Sequence, residues 1–313
     1  MNTLTAMRYL LALQEHQHFG RAAQASHITQ PALSNAIKAL ESQLGVVIVK
    51  RGRSFAGFTA EGEKVLVRAQ RMLREYEQLS DELRMQTDEP VGHLRLGAVP
   101  TAIPVATRLA NSLQMLHPGI HTTVLSCSSD ELEHGLTDLK LDLALGYEER
   151  ANQAVPKLTL IAQYEEAYFL LKKPHDSAAN QRPATAVTWR EASSQPLCLL
   201  APPMHNRVIL EAMFKKLGVQ VKPAMETNSL LALAISVQAG RVQAIVPGAM
   251  VGALMNTSGL VACPLVEPQL RTPMVLMHLA QGSGSVVLDA TLRFAQSTDW
   301  HAQLAKYAGA LQI

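Results

Sequence analysis

The sequence predicts an α/β protein that begins with a small all-α segment followed by one long helix. Two observations indicate this order. Apolar side chains recur at helical spacings of three and four along the first part of the chain, and after Pro90 short apolar runs alternate with helical stretches. The chain has 313 residues, about twice the usual length of one domain. We therefore expect more than one domain.

The composition excludes several classes of protein. Hydrophobic residues make up 48% of the chain and charged residues 17%, which is ordinary for a globular protein and excludes a disordered polymer. No apolar run reaches the length of a membrane span, and the N-terminus lacks the features of a signal peptide, so we expect a cytoplasmic protein. Cys127, Cys198 and Cys263 form no C-x-x-C motif, so neither a disulfide framework nor a metal site is expected.

The net charge of +2 conceals an uneven distribution of charge. Residues 1–60 carry six basic and two acidic side chains, residues 61–90 carry five and eight, and residues 91–313 carry 17 and 16. The first segment therefore has a net charge of +4. A basic segment on a nearly neutral chain favours a polyanionic partner, although a basic surface can also be merely solvated.

The basic segment predicts three short helices and a wing. Thr29 is a suitable N-cap for the third helix, with Pro31 in its first turn, and Gly45 supplies the C-terminal stop. A β-branched run at 46–49 is followed by the cationic turn 50–54, which could reach a neighbouring minor groove or phosphate. This order is typical of a winged helix-turn-helix.

The outer face of the third helix carries the groups that read DNA. Gln30, Ser34 and Lys38 recur every fourth residue, with Asn35 beside them. Amide, hydroxyl and cationic groups recognise base edges and phosphates in a major groove. Such a face on an isolated helix is often only solvated, but the preceding helices and the basic wing favour the DNA-binding interpretation.

Residues 19–66, FGRAAQASHITQPALSNAIKALESQLGVVIVKRGRSFAGFTAEGEKVL, resemble the N-terminal signature of LysR-type transcriptional regulators. The resemblance is carried by QPALS followed by AI-x-x-LE-x-x-LGV, and it implies a winged helix-turn-helix. Two positions depart from the family pattern, Asn35 and the pair Phe19–Gly20, which puts the preferred operator sequence in doubt. The implied DNA-binding residues are Arg21, Thr29, Gln30, Pro31, Ser34, Asn35, Lys38, Arg51 and Arg53.

A long helix is predicted from Ala60 to Gln86, with Thr59 as its cap. One apolar stripe on it has the alternating four and three spacing of a coiled coil, which favours pairing between two chains over packing on its own domain. The resemblance agrees, since the family dimerises through this linker helix, and it implies a homotetramer built as a dimer of dimers. The dimerisation stripe consists of Val65, Ala69, Met72, Tyr76, Leu79 and Leu83.

The remaining chain predicts a sheet with polar junctions between strands and helices. Short apolar runs at 94–98, 122–126 and 141–145 are interpreted as buried parallel strands, and three further runs follow. Open α/β sheets bind ligands where strands end and helices begin. Each junction residue could instead be an ordinary helix cap. The candidate ligand-binding residues are Thr101, Ser128, Ser129, His205, Asn206, Asn228 and Ser229.

The stretches HLRLGAVPT, LDLALGY and QAGRVQAIVP resemble the LysR effector domain, a pair of α/β subdomains similar to type 2 periplasmic solute-binding proteins. The resemblance implies that the effector binds in the cleft between the subdomains. The expected division is a winged helix-turn-helix at 1–59, a linker and dimerisation helix at 60–89, and an effector-binding domain at 90–313. Within that domain subdomain 1 spans about 90–162 and 266–303, and subdomain 2 about 163–265.

The expected function is therefore transcription regulation modulated by a small-molecule effector. The expected partners are double-stranded promoter half-sites, the effector, further copies of the chain and RNA polymerase, with no membrane and no cofactor. LCLLAPPMHNR and FAGFT resemble a branch found beside formate dehydrogenase genes, which implies a small carboxylate such as formate. Asn206 and Lys215 stand where peroxide-sensing members carry cysteines, which argues against thiol sensing.

Enzyme activity is not expected, because the sequence contains no motif of hydrolytic, phosphate-binding or dinucleotide-binding chemistry and no metal-ligand spacing. The alternative from another class is a non-enzymatic solute-binding protein with an accessory interaction module. That alternative gives no reason for Gln30, Ser34, Asn35 and Lys38 to share one helix face.

Overall fold

The computed structural model describes residues 2–50, 52, 55–84, 89–154, 158–174, 185–202, 204–280 and 285–307. They form two compact units, Met1–Thr87 and Asp88–Ile313. The first is helical and the second is an α/β sheet covered by helices, as the sequence predicts. Among the described residues, no helix is long and apolar enough to cross a membrane.

The helices of the first unit begin and end at the predicted signals. The Thr29 hydroxyl accepts a hydrogen bond from the backbone N–H of Ala32 at 3.4 Å, and Gly45 ends the third helix with a left-handed φ of 71°. Leu33, Ile37 and Leu40 point into a core with the first helix, whereas Leu44 in the last turn of the third helix is 43% exposed. The first three helices are α1 (Thr3–His16), α2 (Phe19–Ala25) and α3 (Gln30–Leu44).

In the described residues of the wing, the β-branched run ends in one antiparallel bridge. Val49 pairs with Phe58, and the N–H of Lys50 donates to the Gly57 carbonyl at 3.0 Å. The buried carboxylate of Glu41 holds the wing against α3, since its Oε1 accepts from the N–H groups of Ile48 at 2.8 Å and Val49 at 3.1 Å.

The long helix α4 (Ala60–Arg84) starts as predicted. The Thr59 hydroxyl accepts from the N–H of Gly62 at 2.9 Å. A Cβ at Gly62 would lie 2.2 Å from the carbonyl oxygen of Ile48, so the close crossing of this turn and the wing requires glycine. The inner face of α4 buries Leu66 and Leu73 in the core of the first unit.

The first half of the second unit contains the predicted parallel strands. β1 pairs in parallel with β2 and β3. The strand β2 is an edge strand and is only partly buried, in contrast to the expectation. A last strand, β10 (Arg271–Leu279), returns antiparallel beside β3, so the sheet is mixed. The other elements are β1 (Gly92–Ala98), α5 (Ile103–Leu116), β2 (Ile120–Ser126), α6 (Ser129–Thr137), β3 (Leu143–Tyr147) and α7 (Glu148–Ala154).

One strand, β4 (Leu158–Lys172), belongs to both halves of the second unit. Its first part pairs with β10, and its last part pairs with β8 and β9. The predicted crossing at Ala162–Gln163 therefore lies inside a continuous strand, and the predicted return at Pro264–Leu265 lies inside β9. The subdomain boundaries stay a prediction.

The second half is built on β6, which pairs in parallel with both β7 and β8. Its helices and strands are β5 (Val187–Thr188), α8 (Trp189–Ser193), β6 (Leu197–Leu200), α9 (His205–Lys216), β7 (Met225–Thr227), α10 (Leu230–Gln238), β8 (Gln243–Pro247), α11 (Gly248–Ser258) and β9 (Val261–Val266), and α12 (Val286–Ala295) and α13 (Thr298–Tyr307) follow β10.

Candidate nucleic-acid interface and effector cavity

The predicted DNA-reading face of α3 lies on the surface of the first unit. Gln30, Ser34 and Lys38 line one wall of a groove, and Lys50 and Gly52 of the wing line another. The groove has a volume of about 460 Å³. Of the other predicted residues, Arg21, Thr29, Pro31 and Asn35 are exposed, and Arg51 and Arg53 lie outside the described residues.

Two of the predicted DNA-binding side chains already have structural partners. The hydroxyl of Thr29 caps α3, and the Arg21 guanidinium donates from Nη2 to the His16 carbonyl at 2.9 Å. The amide of Gln30 and the ammonium of Lys38 are exposed on the groove side. The geometry thus favours Gln30, Ser34 and Lys38 as the residues of α3 that contact DNA.

The predicted dimerisation stripe divides into two parts. Val65 packs against the core of the first unit and Ala69 is fully buried there, so this end of the stripe has an intrachain partner. The other four side chains remain on the surface of the unit, with exposed fractions of 48% for Met72, 47% for Tyr76, 52% for Leu79 and 78% for Leu83. Of the six predicted residues, these four form an apolar stripe on the described surface of α4.

Three of the four predicted junctions meet at one small cavity in the second unit. They follow β1, β2 and β6. Along the sheet β6 runs opposite to β1, β2 and β3, so its carboxyl end reaches the cavity from the other half of the unit. The cavity has a volume of about 10 Å³, roughly the space that one buried water needs. Its lining consists of Val99, Pro100, Thr101, Ser128, Ser129, Tyr147, Leu200, Met204, His205 and Asn206.

Two hydroxyl groups of the lining are held by the protein itself. The Thr101 side chain is 1% exposed, and its Oγ1 lies 3.0 Å from the hydroxyl oxygen of Tyr147, with which it shares a hydrogen bond. The Ser128 hydroxyl accepts from the N–H of Glu131 at 3.3 Å, and the N–H of Ser128 donates to the Glu131 carboxylate at 2.7 Å, which makes a capping box for α6. Ser128 therefore acts first as a cap.

Three other polar atoms of the lining are buried without a hydrogen-bond partner among the described residues. They are Oγ of Ser129, Nε2 of His205 and Nδ2 of Asn206. A buried polar atom without a partner costs about 1–3 kcal/mol. A ligand or water that accepts hydrogen bonds would remove this cost.

The electrostatics of the cavity favour neutral hydrogen-bond donors. Burial lowers the pKa of His205, a shift that Glu149 opposes and Arg150 supports, so the imidazole is neutral at pH 7. The ring lies 4.8 Å from that of Tyr147, centroid to centroid. No side chain caps the N-terminus of α9, which starts at His205, so its dipole favours negative charge there.

The fourth predicted junction lies off this cavity. Asn228 and Ser229 are exposed, and the Ser229 hydroxyl caps α10 by accepting from the N–H of Ala232 at 3.3 Å. Their role in effector binding stays a prediction. Arg207, which follows Asn206 in α9, is buried and paired with Glu211 at 2.8 Å and Glu226 at 2.6 Å. Its charge is thus neutralised within the protein.

Tyr147 is the main residue of the cavity that the sequence analysis missed. It ends the buried run LALGY, where an aromatic side chain is most simply interpreted as core. Burial raises the pKa of its phenol, although the hydrogen bond with Thr101 and the nearby side chain of Asn206 oppose the shift. The phenol therefore stays protonated and can donate a hydrogen bond.

A buried carboxyl group lies behind Tyr147. Glu166 on β4 is 0% exposed, and its Oε1 accepts from the N–H of Ala249 at the start of α11 at 3.3 Å. The other oxygen, Oε2, has no hydrogen-bond partner among the described residues. Burial raises the pKa of this carboxyl well above its ordinary value, and the N–H of Ala249 opposes the shift.

The cysteines do not form a reactive pair. Cys198 and Cys263 are buried, and Cys127 is partly buried. Burial raises the pKa of the Cys127 thiol, and the nearby Glu131 carboxylate raises it further, which lowers the fraction of reactive thiolate.

Within the described part of the chain no group of three or more His, Cys, Asp or Glu side chains could hold a metal ion.

Two family models cover nearly the whole chain. Residues 4–63 match the model described as "Bacterial regulatory helix-turn-helix protein, lysR family", and residues 87–299 match the one described as "LysR substrate binding domain". The two units thus define a transcription regulator with a DNA-binding and an effector-binding part, not an enzyme. The chain belongs to the LysR family.

Similar proteins share this organisation. The DNA-binding transcriptional dual regulator OxyR of Escherichia coli (strain K12) is 28% identical over 281 residues, 87% of this chain and 88% of that protein. The crystal structure of full-length CbnR complexed with its target DNA has a TM-score of 0.67 at 19% identity and covers 94% of this chain and 99% of that one. A full-length OxyR variant from Pseudomonas aeruginosa gives 0.68 at 20% identity, with 93% and 96% coverage. These structural likenesses confirm the predicted fold.

Proposed function

We propose that the protein is a regulator of promoter activity whose effector is a small carboxylate, held in the cavity at the carboxyl ends of β1, β2, β3 and β6. The observation that carries this proposal is the set of three buried, unpartnered polar atoms, Oγ of Ser129, Nε2 of His205 and Nδ2 of Asn206. A single ligand with two acceptor oxygens would satisfy several of them.

The chemistry of these atoms matches a carboxylate. The Ser129 hydroxyl and the Asn206 amide donate hydrogen bonds, and a neutral His205 with its proton on Nε2 adds a third donor. Arg207 is already paired with Glu211 and Glu226, and Arg150, which acts on His205, is paired with Asp130 and Glu133. A carboxylate would therefore be held by neutral donors and the N-terminal dipole of α9, as anions are in many proteins.

The size of the cavity supports an effector of very few atoms. A volume of about 10 Å³ holds about one water-sized molecule, so the lining would have to widen to admit even formate, the smallest carboxylate. The resemblance of residues 197–207 and 55–59 to regulators found beside formate dehydrogenase genes points to the same compound. We therefore propose formate as the first candidate.

DNA binding is assigned to the groove beside α3. Gln30 and Ser34 would read base edges, and Lys38 and Lys50 would contact phosphates. Two chains paired along the exposed stripe of α4 would present two such faces to half-sites about 34–36 Å apart or a multiple of that distance.

The proposed tetramer needs a second self-association surface, and the second unit offers one. Exposed apolar side chains lie at both ends of its sheet. Met115, Leu116 and Leu125 are 83%, 56% and 43% exposed beside the edge strand β2, and Leu231 and Ile235 are 69% and 55% exposed on α10, which packs beside the opposite edge strand β7. In a symmetric pair, the patch beside β2 of each copy would pack against the patch on α10 of the other copy, and both patches would be buried.

The proposed mechanism is a shift between two arrangements of the assembly. The effector can change DNA binding only if it binds one arrangement more tightly than the other. A ligand that bridges residues following β1 and β2 to residues that begin α9 would favour the arrangement in which these elements lie close together.

The direct test is the thermal stability of the protein in sodium formate compared with sodium chloride at the same ionic strength. Binding should raise the unfolding temperature, because a ligand stabilises the state that binds it. The same solutions should change the mobility of a duplex taken from upstream of the protein's gene. If the protein melts at the same temperature in formate as in chloride, formate is not the effector. If acetate and glycolate also give the same melting temperature as chloride, the carboxylate class is contradicted.

A further inference from the structure

The cap of α2 is unusual because it is a histidine. Nδ1 of His18 lies 3.0 Å from the backbone nitrogen of Gly20 and 3.3 Å from that of Arg21, and both N–H groups donate to it. A ring nitrogen that accepts hydrogen bonds carries a lone pair, so the proton of the neutral ring lies on Nε2. The cap thus makes Nε2–H a hydrogen-bond donor.

The ring explains why glycine follows Phe19, where the family usually has Ser or Thr. A Cβ at Gly20 would lie 3.1 Å from Cε1 and 3.2 Å from Nδ1 of His18. These separations are tighter than ordinary Cβ contacts, so a larger residue would displace the ring. His18 and Gly20 therefore belong together. The same Cβ would lie 3.8 Å from Oε1 of Gln30, which places the ring close to the start of α3.

The ring faces the groove already assigned to DNA. His18 is exposed and lines that groove together with Gln30, Ser34 and Lys38 of α3 and Lys50 of the wing. Within the described part of the chain, no residue forms a hydrogen bond with Nε2 of His18. A neutral donor is thus available beside two cations on one surface.

We propose that His18 is a DNA-binding residue whose Nε2–H donates a hydrogen bond to a phosphate oxygen beside the recognition helix. The helix that precedes a recognition helix crosses the DNA backbone, so phosphate is the group within its reach. The inference rests on the assignment of the α3 groove to DNA. A serine could cap α2, but its short side chain has no second donor on the far side of the cap.

A neutral phosphate contact has its own signature. It strengthens binding to every sequence, because phosphates carry no sequence information. It also leaves the salt dependence unchanged, because only a cation releases counterions when it neutralises a phosphate. Removal of the Lys38 side chain should lower both the affinity for DNA and the slope of log affinity against log salt. Removal of the His18 ring should lower only the affinity.

The test compares His18→Ser with the wild type on two labelled duplexes of equal length, one from upstream of the protein's gene and one of random sequence. Serine retains the cap, so the unfolding temperature should not change. We expect about tenfold weaker binding to both duplexes and an unchanged slope of log affinity against log salt. His301→Ser, an exposed histidine on α13, is the matched control and should bind as the wild type does.

Three results would overturn the inference. They are an unchanged affinity, a loss confined to one duplex, and a fall in the salt slope. If His18→Ser melts at a lower temperature, His18→Asn supplies a second cap, and a loss of affinity that follows stability in both variants assigns the ring to capping alone. Failure of the wild type to bind either duplex contradicts the DNA-binding role of the groove itself.

Discussion

The hydroxyl oxygens of Thr101 and Tyr147 lie 3.0 Å apart in the lining of the effector cavity. Thr101 follows β1 and Tyr147 ends β3, so this hydrogen bond joins the ends of two neighbouring parallel strands. Both residues are buried, with 1% and 2% of their surface exposed. Neither hydroxyl can exchange its partner for bulk water.

Removal of one member of this pair should therefore destabilise the protein. Tyr147→Phe leaves the buried Thr101 hydroxyl without its partner, which should lower the free energy of unfolding by about 1–3 kcal/mol. Thr101→Val is the reciprocal change. Calorimetry of both single variants and of the double variant gives the coupling energy, which we expect to be about 1 kcal/mol. Strictly additive losses would show that the two hydroxyls do not interact.

Adjacent serines provide a matched test of the effector site. Ser129→Ala removes an unpartnered hydroxyl, so the response to formate should weaken by about tenfold to a hundredfold, while DNA binding without effector is retained. Ser128→Ala removes the cap of α6 and should cost about 1 kcal/mol of stability with a retained response. Titration of the formate-induced change in DNA mobility measures both, and a normal response in Ser129→Ala would refute the assignment.

Lys38 is expected to contact a phosphate. Lys38→Ala should weaken DNA binding several-fold and reduce the slope of log affinity against log salt by about one for each phosphate that is no longer neutralised. Fluorescence anisotropy at a series of salt concentrations measures both quantities. Lys215→Ala, an exposed lysine on α9, is the control. Equal slopes for Lys38→Ala and the wild type would remove Lys38 from the interface.

The exposed stripe of α4 should hold two chains together. Leu79→Asp places a charge in that apolar contact and should raise the dissociation constant of the dimer on the order of a hundredfold. Val67→Asp alters a residue of α4 that is 41% exposed but lies off the stripe, and it should leave assembly unchanged. Sedimentation equilibrium distinguishes these outcomes. A Leu79→Asp protein with the wild-type mass would show that α4 does not form the dimer.

The buried carboxyl of Glu166 should make stability depend on pH. Because its pKa in the folded chain lies well above the ordinary value, the unfolded chain releases this proton first as pH rises. From about pH 4.5 upward the contribution to stability falls, by up to about 1.4 kcal/mol per pH unit, until the folded pKa is reached.

Glu166→Gln keeps the shape of the neutral acid and cannot ionise. Its unfolding temperature should therefore rise relative to that of the wild type as pH increases from 5 to 8. Glu165→Gln, an exposed neighbour on β4, should show no such trend. If the difference between Glu166→Gln and wild type is constant with pH, the carboxyl is already ionised in the folded protein.

The sequence was sufficient to predict those helices and strands whose ends are determined by residues within about one turn. Thr29 and Gly45 delimit α3 through bonds to residues three to five positions away, and the apolar runs of β1 and β3 are buried as expected. The junction residues Thr101 and Ser129 could be found because polar groups at the carboxyl ends of the parallel strands β1 and β2 meet at one edge of a sheet. His205 could be found only as a polar residue at the start of a helix, because β6 runs in the opposite direction.

Other features depend on contacts that no local pattern reveals. The spacing of Val65 and Ala69 fits a coiled coil as well as it fits the core of their own unit, and only packing against α1 distinguishes the two. Tyr147 belongs to the cavity because Thr101 and His205 approach it from distant parts of the chain. The antiparallel direction of β10 likewise depends on where the chain returns.

The continuous strand β4 has a consequence for how the second unit comes apart. Its residues pair with β10 at one end and with β8 and β9 at the other, so one hydrogen-bonded strand runs without interruption from one half into the other. We expect the two halves to melt in a single cooperative transition and to show matching amide-exchange protection along the strand. Relative motion of the halves would then twist β4, because a hydrogen-bonded strand connects them where a flexible linker could have done so.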